Sequence, residues 1–254
     1  MFSSSVRRLR RGLEAAALVL LLGLGGCMRV RVPHGPAAGI PGTPPDFPAA
    51  VYQRAAARGA SVFVLDPTRS VILIHVFPAG PLAGLGHQHV ISSRDVHGFV
   101  RERSGRAAGR TDLYFPVRSL QVDNARDMRQ FHLAERLSPR DIAATRTHML
   151  DAVLDASRYP YVRVEALCRG EGVPCRSVSA RIWLHGRSRT VTVPVRVERT
   201  GNRLTASGRF TLRQTQFGIT PYQILGGALR VGDRLTLRFR LRGRLAISRP
   251  IAAR

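Results

Sequence analysis

The 254-residue chain contains no lysine, although it has 40 basic residues against 16 acidic ones. Arginine therefore supplies the positive charge behind the formal net charge of +24, which points to a compositional preference as much as to selection for phosphate. The arginines are spread along the chain, and in residues 234–245 they alternate with apolar residues, as on the solvent-facing side of a strand. We therefore predict no nucleic-acid partner and expect only a general attraction to anionic membrane surfaces.

Cysteine is scarce as well. Besides Cys27, the chain has only Cys168 and Cys175, which flank six residues rich in Gly and Pro. No second Cys/His pair lies nearby in the sequence, which disfavours a zinc site there. The spacer is typical of a hairpin turn, so we predict a Cys168–Cys175 disulfide formed in an oxidising compartment.

The apolar run near the N-terminus, residues 15–24, has ten residues and is too short to span a bilayer. Arginines precede it and small residues follow it, which is the layout of a secretory signal peptide over residues 1–26. The segment ends in Leu-Gly-Gly-Cys, which resembles the bacterial lipobox. We therefore expect lipidation of Cys27 and a lipid anchor on the periplasmic side of either envelope membrane. The alternative is an ordinary signal peptide followed by a coincidental cysteine.

Signatures of catalysis are missing from the sequence. There is no Gly-x-Ser-x-Gly elbow for a serine nucleophile, no glycine-rich phosphate loop after a strand, and no paired spacing among the glutamates. We predict that the protein is not an enzyme and requires no cofactor.

The rest of the chain divides into a tether and a β-rich domain. Residues 27–59 are rich in Pro and Gly and predict a mostly extended, lipid-anchored tether with a short helix near 49–57. From residue 60, apolar and polar residues alternate, as in residues 190–197, where four valines face one way. Successive hairpins, the first turning at residues 67–69, predict an antiparallel domain over 60–247, followed by a tail at 248–254.

The predicted fold class is all-β: about eight antiparallel strands that close into a barrel, since closure removes exposed sheet edges. One or two helices lie in a long connection between strands. Ser138, with Pro139 at the first helical position and Asp141 in the first turn, predicts a helix start, and we expect this helix to end near Asp155. Its apolar face comprises Ile142, Met149, Val153 and Leu154.

The segment LGHQH, residues 85–89, carries His87 and His89. Side chains two apart in an extended segment project to the same side, so the pair suits a metal such as zinc or copper. A third ligand would have to come from elsewhere in the chain: His97, His132, His148 or a carboxylate. The alternative is that both histidines line the mouth or interior of the barrel and contact backbone or the head group of a ligand.

Seven segments follow one another in an order that resembles the YceI-like domain of bacterial exported proteins. They are, in chain order, FVLDPTRSVILIHV (63–76), GFVRER (98–103), FPVRSLQVD (115–123), MLDAVLDASRYPYVRVEA (149–166), WLHGRSRTVTVPV (183–195), GRFTLRQTQFGI (208–219) and GGALRVGDRLTLRFRL (226–241). The resemblance covers about residues 60–247. The Gly-His-x-His segment at 86–89 resembles only a subgroup of that family.

The resemblance implies a lipocalin-like barrel whose long apolar channel holds a polyisoprenoid chain or a similar amphiphile. The candidates for the channel lining are Val71, Leu73, Phe99, Leu113, Phe115, Trp183, Val193, Val195, Phe210, Leu212, Phe217, Leu237 and Phe239. A barrel filled by its own side chains is the alternative, because small barrels are often filled in this way.

We therefore expect an exported lipoprotein whose barrel binds an amphiphilic or isoprenoid-type lipid for carriage, storage or sequestration. Two alternatives stay open at this point. One is a metal-binding envelope protein that uses His87 and His89, and the other is a non-catalytic structural module of the envelope with protein partners.

Overall fold

The computed structural model describes residues 42–103, 109–133, 137–168 and 175–246. Within them, the α-helices are α1 (Ala49–Ala57), α2 (Ala125–Gln130) and α3 (Pro139–His148). The strands are β1 (Val62–Leu65), β2 (Val71–Val76), β3 (Pro78–Ala79), β4 (His89–Ser93), β5 (His97–Arg101), β6 (Arg110–Pro116), β7 (Gln121–Val122), β8 (Tyr161–Cys168), β9 (Ser177–Leu184), β10 (Arg187–Thr200), β11 (Arg203–Arg213), β12 (Gln223–Ile224), β13 (Leu229–Val231) and β14 (Arg234–Leu245).

Eight strands form a closed antiparallel barrel in the order β1-β5-β6-β8-β9-β10-β11-β14, and β14 pairs back with β1. The ring closes through three residue pairs, which begin at Phe63 opposite Leu245. The same sheet continues past β14 through β2, β4 and β7. The predicted all-β, lipocalin-like antiparallel barrel is therefore confirmed.

The predicted hairpin at residues 67–69 is wrong, because β1 and β2 do not pair with each other. Both pair with the same edge of β14, β1 at residues 243–245 and β2 at residues 236–240. Asp66 accepts hydrogen bonds from the backbone N–H and the hydroxyl of Thr68, and the Ser70 hydroxyl accepts one from the Arg242 N–H. These bonds hold a short outward loop, after which the chain resumes its direction, so β1 and β2 are two halves of one long strand.

The barrel has two different ends. At the helical end, where β11 finishes and β14 starts, lie α3 and a small second sheet in the order β12-β13-β3. At the hairpin end, residues 201–202 connect β10 to β11.

Near the hairpin end, the Cys168–Cys175 disulfide joins the end of β8 to the segment entering β9, with the two Cα atoms 6.0 Å apart. The predicted disulfide is therefore present.

The helix predicted to start at Ser138 is confirmed. The Ser138 hydroxyl accepts a hydrogen bond from the Asp141 N–H at 3.2 Å, and Pro139 is the first helical residue. The regular helix ends at His148, earlier than predicted, and continues as a π-helical turn over Met149–Val153. Arg146 donates to the Leu120 carbonyl at 2.8 Å, which ties α3 to the segment before β7. This hydrogen bond holds α3 at the helical end of the barrel.

The short helix predicted near 49–57 is confirmed as α1, but the segment around it is not a free tether. Phe47 packs edge-on against Tyr114, and Tyr52 stacks on Phe99 with ring centroids 5.0 Å apart. Burial raises the pKa of Tyr52 above its usual range, so the hydroxyl stays protonated and donates to Asp112 at 2.5 Å. Residues 42–57 therefore belong to the folded domain, and the boundary predicted at residue 60 lies too late in the chain.

The predicted signal peptide (1–26), the lipidation site Cys27, the first part of the tether up to residue 41 and the tail (248–254) lie outside the described residues. Among the described helices, none is both long and apolar enough to cross a membrane.

The close approach of β5 to β6 depends on Gly98, and this gives a test of the fold. Gly98 has φ +151°, and a Cβ there would lie 2.2 Å from the Asp112 carbonyl oxygen. We expect Gly98→Ala to lower the free energy of unfolding by about 3 kcal/mol, since strained backbone and a backbone clash must both be relieved. Denaturant unfolding measures the change. Gly84→Ala is the control, because a Cβ at Gly84 meets nothing within 4 Å; equal losses for the two variants would contradict this register.

Candidate functional site

The barrel encloses a cavity of about 540 Å³, within the usual range for ligand pockets. Its wall is built from inward side chains of successive strands, which alternate with outward polar residues as the pleat requires. On the three longest strands the inward residues are Val193, Val195, Val197, Leu204, Ala206, Phe210, Leu212, Leu235, Leu237, Phe239 and Leu241. The packed-core alternative therefore does not describe this barrel.

The cavity is elongated and follows the strands. On β11 its lining runs from Leu204 near the hairpin end to Leu212, which corresponds to about 26 Å of strand, and Gln214 in the turn after β11 lines the helical end. Alanines keep part of this length open. Ala166 and Ala180 face each other across β8 and β9, and Ala206 lies on β11. Larger side chains at these positions would fill an eight-stranded barrel, whose interior is only just wide enough for one ligand.

Polar lining residues gather at the helical end. They are His89, Asp141, Thr145, His148, Gln214 and Tyr222, whereas Thr111 lies towards the hairpin end. The rings of His148 on α3 and Tyr222 before β12 are 5.5 Å apart, so they connect the helix to the small sheet across this end. The cavity is therefore apolar along its length and polar at one mouth, a distribution that suits an amphiphile.

A buried carboxylate holds His89 in place. Asp123 Oδ2 lies 2.7 Å from His89 Nδ1, and Asp123 Oδ1 accepts a hydrogen bond from the Val90 N–H at 2.8 Å. The Asp123 side chain is 3% exposed. Asp123 also has φ +51°, an uncommon conformation for a residue other than Gly. Since Nδ1 is engaged, Nε2 is the ring nitrogen left to meet a ligand.

Eight of the thirteen predicted lining residues line the cavity: Leu113, Phe115, Val193, Val195, Phe210, Leu212, Leu237 and Phe239. All of them lie on strands that belong to the closed ring. On these strands the apolar residues of the alternating pattern are the ones that face the interior of the barrel.

The other five lie elsewhere. Leu73 packs outside the barrel against Met128 of α2, and Val71 lies beside it. Phe99 is covered by Tyr52 on the outer wall. The outer faces of β2 and β5 are thus covered by helices and carry apolar residues themselves, so alternation does not distinguish inside from outside there.

Trp183 and Phe217 also depart from the predicted lining, each for its own reason. Trp183 lies between the guanidinium groups of Arg163 and Arg181, at 5.3 and 4.9 Å from its ring centroid, a favourable cation–π arrangement. Phe217 is fully buried in the core in the turn after β11. Neither residue lies against the cavity.

The two histidines of the Gly-His-x-His segment separate. His89 lines the cavity, whereas His87 is exposed and is not part of the lining. Of the third ligands considered, His97 stacks on Tyr114 and contacts Asp95, and His132 is exposed. Across the described ranges no group of three or more His, Cys, Asp or Glu side chains could hold a metal ion. Of the two histidines, only His89 is thus placed where it could contact a ligand in the cavity.

The polar residues at the mouth were missed by the sequence analysis, apart from His89. The sequence indicates Asp141 only as part of the helix start, and His148 only as a candidate third metal ligand. Thr145, Gln214 and Tyr222 belong to no local motif. They meet because α3, the turn after β11 and the segment before β12 converge on one end of the barrel, which a single sequence does not reveal.

Comparisons with known proteins agree with this architecture. Residues 63–242 match the profile of the YceI-like domain family. Two solved structures share the fold: a polyisoprenoid binding domain from Saccharophagus degradans implicated in plant cell wall breakdown, and Burkholderia cenocepacia BcnA. The first is 14% identical with a TM-score of 0.51 and covers 72% of this chain and 98% of its own. The second is 16% identical with a TM-score of 0.50 and covers 70% and 98%. No curated protein matches the chain.

Asp123 provides a test of how the mouth is held. Asp123→Ala leaves the buried Val90 N–H without its partner and releases His89, so we expect a loss of about 2 kcal/mol in the free energy of unfolding. The His89 Nδ1–H resonance should also lose its protection from exchange with water. The control is Asp151→Ala, at an exposed position in the π-helical turn. An unchanged stability and an unchanged His89 resonance in Asp123→Ala would contradict the assigned hydrogen bonds.

Proposed function

This chain belongs to the YceI-like domain family, and we propose that its barrel binds one amphiphilic lipid of the polyisoprenoid type. The observation that carries the proposal is the cavity itself, long and apolar with polar side chains at one mouth. The similar structure from Saccharophagus degradans is a polyisoprenoid binding domain, which supports the same class of ligand. At 14% identity that likeness concerns the fold, so the ligand remains our proposal.

The lining explains how such a lipid would be held. Burial of each CH₂ group contributes about 0.8 kcal/mol, so a chain that fills an apolar channel needs no strong polar contact. The branched and aromatic side chains on the inner faces of β10, β11 and β14 supply the apolar wall. The hydrocarbon would lie towards the hairpin end, and the alanines of β8, β9 and β11 would leave it room.

The head group would lie at the helical end. His89 would offer Nε2, and Gln214 and Tyr222 would add hydrogen-bonding groups within the same mouth. Asp141 adds one negative charge at this mouth. A neutral or weakly acidic head group such as a hydroxyl therefore fits better than one with several negative charges.

We propose carriage, storage or sequestration of the lipid as the role, without catalysis and without a required cofactor. The protein would be exported and held at the periplasmic side of the envelope by a lipid on Cys27. The disulfide between Cys168 and Cys175 supports export, because such bonds persist in oxidising compartments. In the described residues no observation favours the metal-binding alternative over this role.

Narrowing the cavity tests the binding site. Ala206→Phe places a ring inside the barrel, so we expect at least a tenfold loss in retention of radiolabelled geranylgeraniol. Thr211→Phe is the matched control, because it adds the same ring to an exposed position on the same strand. Circular dichroism confirms that both variants keep their β-structure. Equal retention by the two variants would refute the barrel interior as the binding site.

The anchor is tested separately. We expect the wild-type chain to fractionate with membranes and Cys27→Ala to be recovered in the aqueous fraction, because removal of the acyl chains removes their burial in the bilayer. Mass spectrometry of the mature N-terminus identifies the modification. A wild-type chain that is free of lipid and begins at a residue other than Cys27 would rule out this anchor.

A further inference from the structure

The outer wall of the barrel carries a second recess, of about 950 Å³, bounded by β10, β11, β14, β2 and α2. Eight arginines contribute to its lining, and no aspartate or glutamate does. On β14 these arginines alternate with Leu237, Phe239 and Leu241, which line the cavity inside. The recess lies on the opposite face of these strands from the cavity; Val195 and Phe239 contribute to the lining of both, whereas none of the arginines lines the cavity.

Strand register brings the arginines together. Arg209 on β11 is the direct cross-strand partner of Arg238 on β14, and Ser207 lies between Arg196 on β10 and Arg240 on β14. Like charges directly opposite each other destabilise a sheet. The strand pairing thus concentrates positive charge on this part of the outer wall without placing an acidic residue opposite the arginines.

Few carboxylates neutralise this charge. Among the described residues, two of the eight arginines have a carboxylate oxygen within 4 Å: Arg94 pairs with Asp127, and Arg196 lies 3.7 Å from Glu198. The Arg196–Glu198 pair is mostly exposed, so it contributes little. Most of the positive charge in the recess is consequently available to an external anion.

The shape of the recess distinguishes among anions. Ser207 and Gly208 are the small residues in its floor, and Arg238 is held over the ring of Phe131 at 4.6 Å from the centroid. Arg94, Arg238 and Arg242 are partly buried in this hollow, and the other five arginines are exposed around it. A hollow admits a linear chain of phosphates, whereas a flat bilayer surface would meet only its rim.

We infer that this arginine recess binds inorganic polyphosphate, a linear chain of phosphate groups. Guanidinium groups donate two parallel hydrogen bonds to phosphate oxygens, and several of them in one recess engage neighbouring phosphates together. The site needs neither the lipid nor the cavity, so the protein can hold both ligands at once.

Isothermal titration of the full-length protein with inorganic polyphosphate tests the inference. We expect Arg209→Ser/Arg238→Ser to weaken binding at least tenfold and to reduce the dependence of affinity on salt, because fewer counterions are released. The control double variant, Arg181→Ser/Arg189→Ser, removes the same charge from exposed positions near the helical end of β9 and β10. It should weaken binding less than twofold.

Three outcomes would overturn the inference: no binding of polyphosphate by the wild type, equal losses in the two double variants, or recess-dependent binding only to phosphatidylglycerol vesicles. Retention of geranylgeraniol and the thermal midpoint are measured on the same samples. Retention should be unchanged in Arg209→Ser/Arg238→Ser, which separates this site from the lipid cavity, and a cooperative thermal transition shows that the variant is folded.

Discussion

The structure depends on the register of β14, which pairs with β11 along one edge and with both β2 and β1 along the other. Strand side chains alternate, so a slip of one residue would turn every side chain of β14 to the opposite face. Leu237 and Phe239 would then face solvent, and Arg238 and Arg240 would enter an apolar cavity at a high desolvation cost. Closure of the barrel, the apolar channel and the charged outer wall thus follow from the same pairing.

A closed eight-stranded ring sets the width of the interior, and the choice of inward residues decides whether that interior is filled or open. Here the alanines at 166, 180 and 206 leave it open, while larger side chains shape the rest of the wall. The strands supply mostly apolar lining, and the helical end supplies most of the polar side chains. There α3, the small sheet and the His89–Asp123 pair place polar groups at one mouth, so the cavity distinguishes the two ends of a bound molecule.

The sequence predicted best where one face of a strand meets water. On β10 and β14 the alternation of Val or Leu with Arg, Thr and Glu identified inward residues such as Val193 and Leu237. It failed on β2 and β5, because helices cover the outer faces of these strands. Leu73 on β2 is buried under α2, and Phe99 on β5 is covered by α1, so their outer faces are apolar as well as their inner ones. The hairpin predicted at residues 67–69 is absent because a turn motif indicates a bend in the chain, but does not indicate whether the next strand pairs with the previous one.

Apart from His89, the polar residues of the mouth could not be predicted, because residues such as His148 and Tyr222 meet only through the tertiary fold. Residues 42–57 were misread for a related reason. Their apolar groups, Phe47 and Tyr52, are isolated among prolines and alanines, and their partners Tyr114 and Phe99 lie far along the chain. Long-range packing of this kind leaves no local periodicity.

We propose that the cavity holds one amphiphilic lipid. Native mass spectrometry of the full-length protein, purified in mild detergent, tests it most directly. We expect a single added mass on the folded chain that disappears on denaturation and is recovered in the organic extract as an isoprenoid-type lipid. A folded protein whose mass does not change on denaturation, and which gains none when geranylgeraniol is added, would contradict it.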